Sequence, residues 1–373
     1  MAGPTQNALY GDIDLALSWS EEQLPQAERT KHVHSLHPYL GKFVPQLVDA
    51  FLRRCFRPAD CVYDPFAGSG TTLVEALAFG ADTVGVDISA FNCMLSRVKT
   101  TSYQLGSLEM SLRAALELAR EPAGDAAATP WLRRWYSKRA LGELLAYRSA
   151  LDGLDEPAID AAKVILSRSA RSARLTTHFD LDFPRTPKKE PYWCLKHKRV
   201  CRPVDESAKF LRRYTRDTVT RIRGYATVRK DGSAHVVHGD ARTVELPISP
   251  TGIITSPPYP GLIDYHEQHR YAYELLGLED RSDAEIGPAS RGRSQRALRE
   301  YVDDMTAVFE NAGRQMDGGS PVVIVVNDSK DLYPEILRRS GLTLEERITR
   351  HVNRRTGRRA GEFFEDVLVC STR

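Results

Sequence analysis

Cysteine is scarce in this 373-residue chain: six residues, at positions 55, 61, 93, 194, 201 and 370. Thiols so few and scattered exclude a disulfide scaffold. No apolar run reaches the roughly 18–20 residues that cross a bilayer, and no basic stretch followed by an apolar one opens the chain. The expected location is therefore cytoplasmic, with no membrane partner. No Gly-Lys-Ser/Thr follows the glycine turn at Gly68 and Gly70, which excludes a phosphate loop. Leu73 stands where a nicotinamide-binding fingerprint has its third glycine. No internal repeat is present.

What remains is the profile of an ordinary globular protein, 42% apolar and 27% charged. The length suits one large domain with an insertion, or two modest domains. Lysine and arginine total 52 against 49 acids, a net charge of +3 that says little about partners. The balance is uneven along the chain. Residues 125–235 hold 24 basic and 13 acidic side chains, a surplus of 11, and the remainder is acidic by 8.

Apolar residues at Leu47, Val48, Phe51 and Leu52 predict a helix opening at Pro45, a residue suited to a first turn. Short apolar strands at 61–64 and 83–87 each lead into a helical stretch, 71–79 and 91–98. That alternation predicts a parallel α/β sheet. From about residue 100 to 230 it gives way to helical stretches such as 141–151 and to a Pro-, Lys- and aromatic-rich loop at 183–203. Strand signals resume at 234–240, 252–256, 321–327, 344–352 and 363–370. The expected organisation is a discontinuous α/β domain, 1–100 and 234–373, interrupted by a basic, mostly helical insertion at 101–233.

Two motifs carry chemistry. In Asp64-Pro65-Phe66-Ala67-Gly68-Ser69-Gly70-Thr71, the glycines let backbone N–H groups approach a ligand at a helix N-terminus. Asp87, closing the next strand, can accept both hydroxyls of a ribose. Taken alone, the turn reads equally as a ligand-free link between strand and helix. The second motif, Thr255-Ser256-Pro257-Pro258-Tyr259, leaves an apolar strand where open α/β sheets bind ligands. Its two prolines stiffen an extended turn. Ser256 Oγ and the neighbouring carbonyls form a small acceptor cluster, and Tyr259 offers a stacking face. Such a site suits a planar exocyclic amine.

Together these motifs resemble the amino-group DNA methyltransferases that use S-adenosylmethionine. The resemblance implies a Rossmann-like class I methyltransferase sheet, mainly parallel with a final antiparallel hairpin. It assigns cofactor binding to Asp64, Pro65, Phe66, Gly68, Ser69, Gly70, Thr71, Asp87 and Ile88. It extends this to His37, Lys42, Phe43 and Pro45 of an upstream motif that closes over the methionine end, and to Asp240 and Ala241 on the adenine side. Ser256, Pro257, Pro258 and Tyr259 become the catalytic group. Members with Ser-Pro-Pro-Tyr mostly methylate cytosine N4, whereas Asp or Asn before the prolines is typical of adenine N6 enzymes. The C5 route uses a cysteine that usually follows proline, and this chain has no Pro-Cys pair. The implied partners are double-stranded DNA, held by the basic insertion, and a cognate restriction endonuclease acting on the same site.

The alternatives are an adenine-N6 enzyme, an RNA guanine-N2 methyltransferase and a non-catalytic DNA-binding protein. The RNA enzymes usually carry Asp before the prolines and an N-terminal RNA-binding domain, for which the ~30 residues before Lys31 leave no room. Intact Asp87, Gly68, Gly70, Ser256 and Tyr259 weigh against the non-catalytic reading. Within the insertion, Arg133, Arg134, Lys138 and Arg139 interleave with Trp131, Trp135 and Tyr136, and Arg168, Arg171 and Arg174 recur at three-residue spacing. Lys188, Lys189, Lys196, Lys198, Arg199 and Arg202 load the loop that follows. Cys194, His197 and Cys201 have ligand-like spacing, with His178 as the local fourth candidate. Three ligands fall short of a closed site, so buried structural cysteines and no metal are expected. Arg354, Arg355, Arg358 and Arg359 read as a charged link between the last two strands that touches phosphates or simply faces solvent.

Overall fold

The computed structural model describes residues 17–19, 23–41, 43–124, 128–178, 180, 184–352 and 364–373. Lys42 and the arginines at 354–359 lie outside the described residues.

The main sheet is built from β1 (Cys61–Asp64), β2 (Asp82–Asp87), β5 (Ala234–His238), β6 (Gly252–Thr255), β7 (Pro321–Val326), β8 (Leu342–His351) and β9 (Phe364–Thr372). Their order is β5-β2-β1-β6-β7-β9-β8. Pairings are parallel from β5 to β7, and β9 runs antiparallel to both β7 and β8. This is the sheet that the resemblance implies. The chain starts at the centre with β1 and builds outward to one edge, then crosses back to β6. The crevice therefore opens at the carboxyl ends of β1 and β6, where the strand order reverses.

Alternation along the buried strands divides the core into two layers. Tyr63, Val84, Val86, Ile253, Val322 and Ile324 face α10 (Gln295–Gly313) and α11 (Tyr333–Arg339). Their neighbours Val62, Ile254, Val323 and Val325 face α1 (Pro45–Cys55). Helices α2 (Thr71–Phe79) and α3 (Ala90–Thr100) follow β1 and β2. Ser89 Oγ caps α3 by accepting from Asn92 N at 3.3 Å.

Between α3 and β5 lie helices α4 (Leu105–Leu118), α5 (Pro130–Trp135), α6 (Lys138–Ala150), α7 (Ala158–Ala173) and α8 (Ala208–Ala226). A short antiparallel hairpin, β3 (Tyr192–Cys194) and β4 (Arg199–Cys201), stands between α7 and α8. The sequence pattern contained no sign of this hairpin, whose strands are too short to show alternation. These helices share one hydrophobic cluster with the elements around the main sheet. Val74, Phe91, Met94, Leu95 and Val98 pack with Leu112, Leu144, Ile165, Leu166, Val219 and Tyr225, and with Tyr271 and Leu275 of α9 (Arg270–Leu276). The Tyr225 hydroxyl donates to the Val74 carbonyl at 2.8 Å. No helix among the described residues is long and apolar enough to cross a membrane.

Candidate active site

The end of β1 and the end of β6 are stitched together by one carboxylate. Asp64 Oδ1 accepts from Thr255 Oγ1 at 2.7 Å and from Phe66 N at 3.1 Å. This places the glycine turn and the Ser-Pro-Pro-Tyr turn side by side, although 191 residues separate them in sequence. Gly68 and Gly70 have φ of +50° and +75°, the left-handed region that favours glycine. A Cβ at Gly70 would come within 2.7 Å of Ser96 Oγ. Buried Lys99 donates from Nζ to the Ser69 carbonyl and fixes the turn from below.

Asp87 stands across the turn at the end of β2. Its carboxylate accepts from Gly68 N and Ser89 N, each at 2.8 Å, and from Asn92 Nδ2 at 3.1 Å to both oxygens. Burial pushes the acid up to about 6 despite these donors. Burial likewise pushes Asp64 up to about 6, against the hydrogen bonds from Thr255, Thr72 and Phe66 N. Asn92 Nδ2 also donates to the Tyr39 hydroxyl at 3.1 Å. Asn92 Oδ1 is buried and has no hydrogen-bond partner among the described residues.

These groups line one cleft of about 850 Å³, open mouth included. Phe43, Asp64, Pro65, Phe66, Gly68, Ser69, Thr71, Asp87, Ile88, Asp240, Ala241, Ser256 and Pro258 all face it. Gly70 lies just behind, as the cap of α2. Four sequence-predicted residues lie elsewhere, Tyr259 among them. Pro45 is the first residue of α1 and buried in its packing. Pro257 is buried and absent from the cleft lining as a side chain, which leaves the role of its carbonyl untouched. His37 is wholly buried among Phe91, His269 and Tyr271, with ring centroids 5.0, 5.8 and 6.2 Å away. Burial and the nearby His269 hold its imidazole well below the usual range, so it is a neutral prop for the wall.

Tyr259 is half-buried and outside the cleft lining, its hydroxyl donating to Glu365 Oε1 at 3.1 Å. Asp240 faces the cleft but is gripped by Arg242, whose Nη2 reaches Oδ2 at 2.6 Å and whose Nη1 reaches Asp304 at 2.6 Å. Burial raises Asp240, and hydrogen bonds from Arg242 more than offset it, leaving the acid below its usual range.

Tyr265, which the sequence offers with Asp264 and His269 as lining for the base pocket, does line the cleft, whereas Tyr39, Asn92, Glu285 and Ile286 escaped the sequence reading. Tyr265 stacks on Tyr39 at 5.8 Å, and Glu285 accepts from His266 N at 2.8 Å. Tyr39 sat inside the upstream motif, and Asn92 follows a capping serine in the first turn after Asp87, so both had a sequence signal. Asp264 is occupied elsewhere, accepting from Ser290 N and Oγ at 2.9 Å.

The insertion's basic residues divide in two. Arg168 pairs with Asp217 and lies 4.1 Å above the Tyr214 ring. Arg174 is buried, 4.7 Å above Tyr271. The three-residue spacing thus marked an inward face, against the expectation of a DNA-facing one. Trp135 and Tyr136 are also buried. By contrast, Lys188, Lys189, Lys196, Lys198, Arg199 and Arg202 are exposed and make no ion pair among the described residues.

A doubly faced sheet in this order, with an acid at the end of β2 and a glycine turn after β1, defines a class I methyltransferase, and S-adenosylmethionine is its cofactor. The residues fit that molecule: the cleft holds a buried carboxylate for ribose hydroxyls, an unpartnered amide oxygen and backbone N–H groups beside glycines. The N6/N4 methyltransferase family profile, described as DNA methylase, matches residues 7–97. The type II methyltransferase M.MjaII of Methanocaldococcus jannaschii is 36% identical over 96% of this chain and 83% of that protein. The type II methyltransferase M.MvaI of Kocuria varians is 25% identical over 79% of this chain and 64% of that protein. The chain belongs to the N6/N4 DNA methyltransferase family. A solved structure, TrmN from Thermus thermophilus, aligns with 13% identity over 89% of this chain and 50% of that one, at a TM-score of 0.35, too low to weigh.

The acids in the cleft set a pH dependence. We propose that Asp87 receives the ribose hydroxyls in its ionised form, so that cofactor affinity falls as pH drops through about 6, approaching tenfold per unit below it. Stability moves the other way. A carboxyl whose folded pKa is raised stabilises the fold below its unfolded value, and that stability is lost as pH rises through 6. Calorimetric titration between pH 8 and pH 5, with melting temperatures taken alongside, checks this. Affinity that is flat across that window would show that Asp87 does not receive the ribose.

Proposed function

We propose that this enzyme methylates the exocyclic N4 of cytosine in duplex DNA, with the target base turned out of the helix. The observation that carries the reading is the Thr255–Asp64 hydrogen bond of 2.7 Å, which sets the amino-group turn against the cofactor turn in one cleft. Ser256, rather than an acid, before the two prolines supports cytosine over adenine. S-adenosylmethionine, when bound, supplies an electrophilic methyl group on a sulfonium centre. The protein's part is to make a poor nucleophile ready. The lone pair of an aromatic amine is delocalised into its ring. Accepting its two N–H bonds at Ser256 Oγ and the Pro257 carbonyl draws the nitrogen towards tetrahedral geometry and frees the pair for in-line attack, the methyl C–S bond breaking as the N–C bond forms and the surplus N–H proton passing out to water. The Pro258 carbonyl already accepts from Tyr301 at 3.0 Å, which steadies the turn. Tyr259 lies outside the cofactor cleft, so the base that stacks on it enters beside that cleft. Such stacking, about 1–3 kcal/mol, offsets part of the few kcal/mol that unpairing costs.

The insertion, residues 101–233, is the DNA-recognition region in this reading, with a cognate endonuclease of the same site as the implied partner. Its contacts come from the β3–β4 hairpin and the segments that flank it, where the six unpaired cations lie. Full phosphate engagement by all six would weaken DNA binding on the order of 10³-fold between 50 and 200 mM salt. Transfer of labelled methyl from the cofactor to duplex DNA, measured across that salt range, tests the reading. Incorporation into RNA alone, or binding indifferent to salt, would contradict it.

A further inference from the structure

The β3–β4 hairpin has no evident means of staying folded. Each strand has three residues, and an isolated two-stranded hairpin is marginal at best in water. Trp193, Leu195 and Val200 on it are exposed at 60%, 55% and 64%. Its two buried side chains are Cys194 and Cys201, and neither belongs to any of the three hydrophobic clusters of the fold. The register pairs Cys194 with Arg199 and Tyr192 with Cys201, so the cysteines are diagonal neighbours on one face. His197, in the turn, and His178, sixteen residues before Cys194, complete a cluster on that face.

The ligand atoms of His178, Cys194, His197 and Cys201 all lie within 4.8 Å of one another. Cys194 Sγ is 3.5 Å from His178 Nδ1, and Cys201 Sγ is 3.4 Å from His197 Nδ1. A tetrahedral zinc ion with bonds of about 2.3 Å to sulfur and 2.0–2.1 Å to nitrogen separates S and N by about 3.5 Å. Two edges of the tetrahedron are therefore already at length. Tyr192 lies against His178: its hydroxyl accepts from His178 N at 3.2 Å and stands 3.0 Å from Nδ1, a contact that Nδ1 exchanges for the metal when it ligates.

We propose that His178, Cys194, His197 and Cys201 form a structural zinc site that fastens the β3–β4 hairpin. This replaces the expectation of plain buried cysteines: the fold supplies the fourth ligand from outside the hairpin. Four protein ligands close the coordination sphere, so the ion takes no part in methyl transfer. Its effect is to hold rigid a hairpin whose outer face carries Trp193 and Val200, with Leu195, Lys196 and Lys198 in the exposed turn. Two features argue against a disulfide at this position. Both cysteines are free thiols, and a disulfide would leave the two histidines without a role.

The test is metal analysis of the purified full chain after exposure to zinc and gel filtration. About one zinc per chain is expected, falling at least tenfold in the double variant Cys194→Ser, Cys201→Ser and in His178→Ala. Cofactor binding measured on the same samples separates loss of the site from loss of the fold. Cobalt substitution of the wild-type chain gives an independent reading: intense tetrahedral d–d bands with sulfur-to-cobalt charge transfer are expected. Weak octahedral bands, zinc below a tenth of an equivalent in a cofactor-binding protein, or an intact Cys194–Cys201 disulfide by mass mapping would each overturn the proposal. A failure of methyl transfer with zinc present would leave the site standing and count against the proposed activity alone.

Discussion

Ser256→Ala should lower kcat on the order of 10²-fold while the dissociation constant for S-adenosylmethionine stays within about threefold. The asymmetry follows from where Ser256 sits. It lines the cleft at the exit of β6, beside the carboxylate of Asp64 but on the neighbouring strand from the glycine turn. None of the donors that organise Asp87 comes from it. Removing Oγ therefore takes away an acceptor for the reacting amine and leaves the cofactor wall intact. Fold loss is a minor concern, because Ser256 lies outside the three hydrophobic clusters. Single-turnover methylation beside equilibrium cofactor binding checks the split. A rise in the dissociation constant that accounts for the whole loss would move Ser256 from the chemistry to the cofactor wall.

Asp87→Ala should act in the opposite way, weakening S-adenosylmethionine binding at least about 10²-fold, with DNA binding in the absence of cofactor unchanged. Hydrogen bonds to a charged group contribute about 1.5–3 kcal/mol each, and two ribose hydroxyls would be lost together. The substitution also leaves Gly68 N, Ser89 N and Asn92 Nδ2 without their acceptor, so the turn itself loosens. The six unpaired cations assigned to DNA lie on the hairpin and the segments that flank it, in the insertion rather than on β2. Calorimetry with cofactor and fluorescence anisotropy with a labelled duplex separate the two effects. Parallel loss of both would mean that Asp87 maintains the fold rather than receiving a ribose.

The parts of the site that were legible in sequence are those fixed by strand ends. Asp64, Asp87 and Ser256 each terminate a short apolar run, and Gly68 and Gly70 follow the first of them, so local pattern was enough to place them. Helices α1 and α2 began where Pro45 and Thr71 suggested because proline and glycine punctuate the backbone. Residues delivered by tertiary packing were not legible. Glu285 and Ile286 reach the cleft from a loop about 200 residues after Asp87, and no periodicity encodes that approach. The spacing of Arg168, Arg171 and Arg174 marked a helix face without saying which way the face turned. Arg168 and Arg174 turned inward because Tyr214, Asp217 and Tyr271 offer rings and a carboxylate there. Asp240 was recognised as a cleft residue, but its grip by Arg242 depends on side-chain reach two positions away. The hairpin was missed because three-residue strands carry too little pattern; His178 was named as a fourth candidate, but spacing alone could not show that the fold gathers it with Cys194, His197 and Cys201.

The central claim is cytosine N4 methylation by a cleft that joins Asp87 to Ser256, and the identity of the modified nucleoside tests it most directly. DNA from cells producing the protein, digested to nucleosides and resolved by mass spectrometry, should contain N4-methylcytosine. The same digest from cells producing Ser256→Ala at an equal, low level for a short time should contain far less of it. N6-methyladenine in its place, or unmodified DNA from a protein that binds S-adenosylmethionine and duplex normally, would contradict the account.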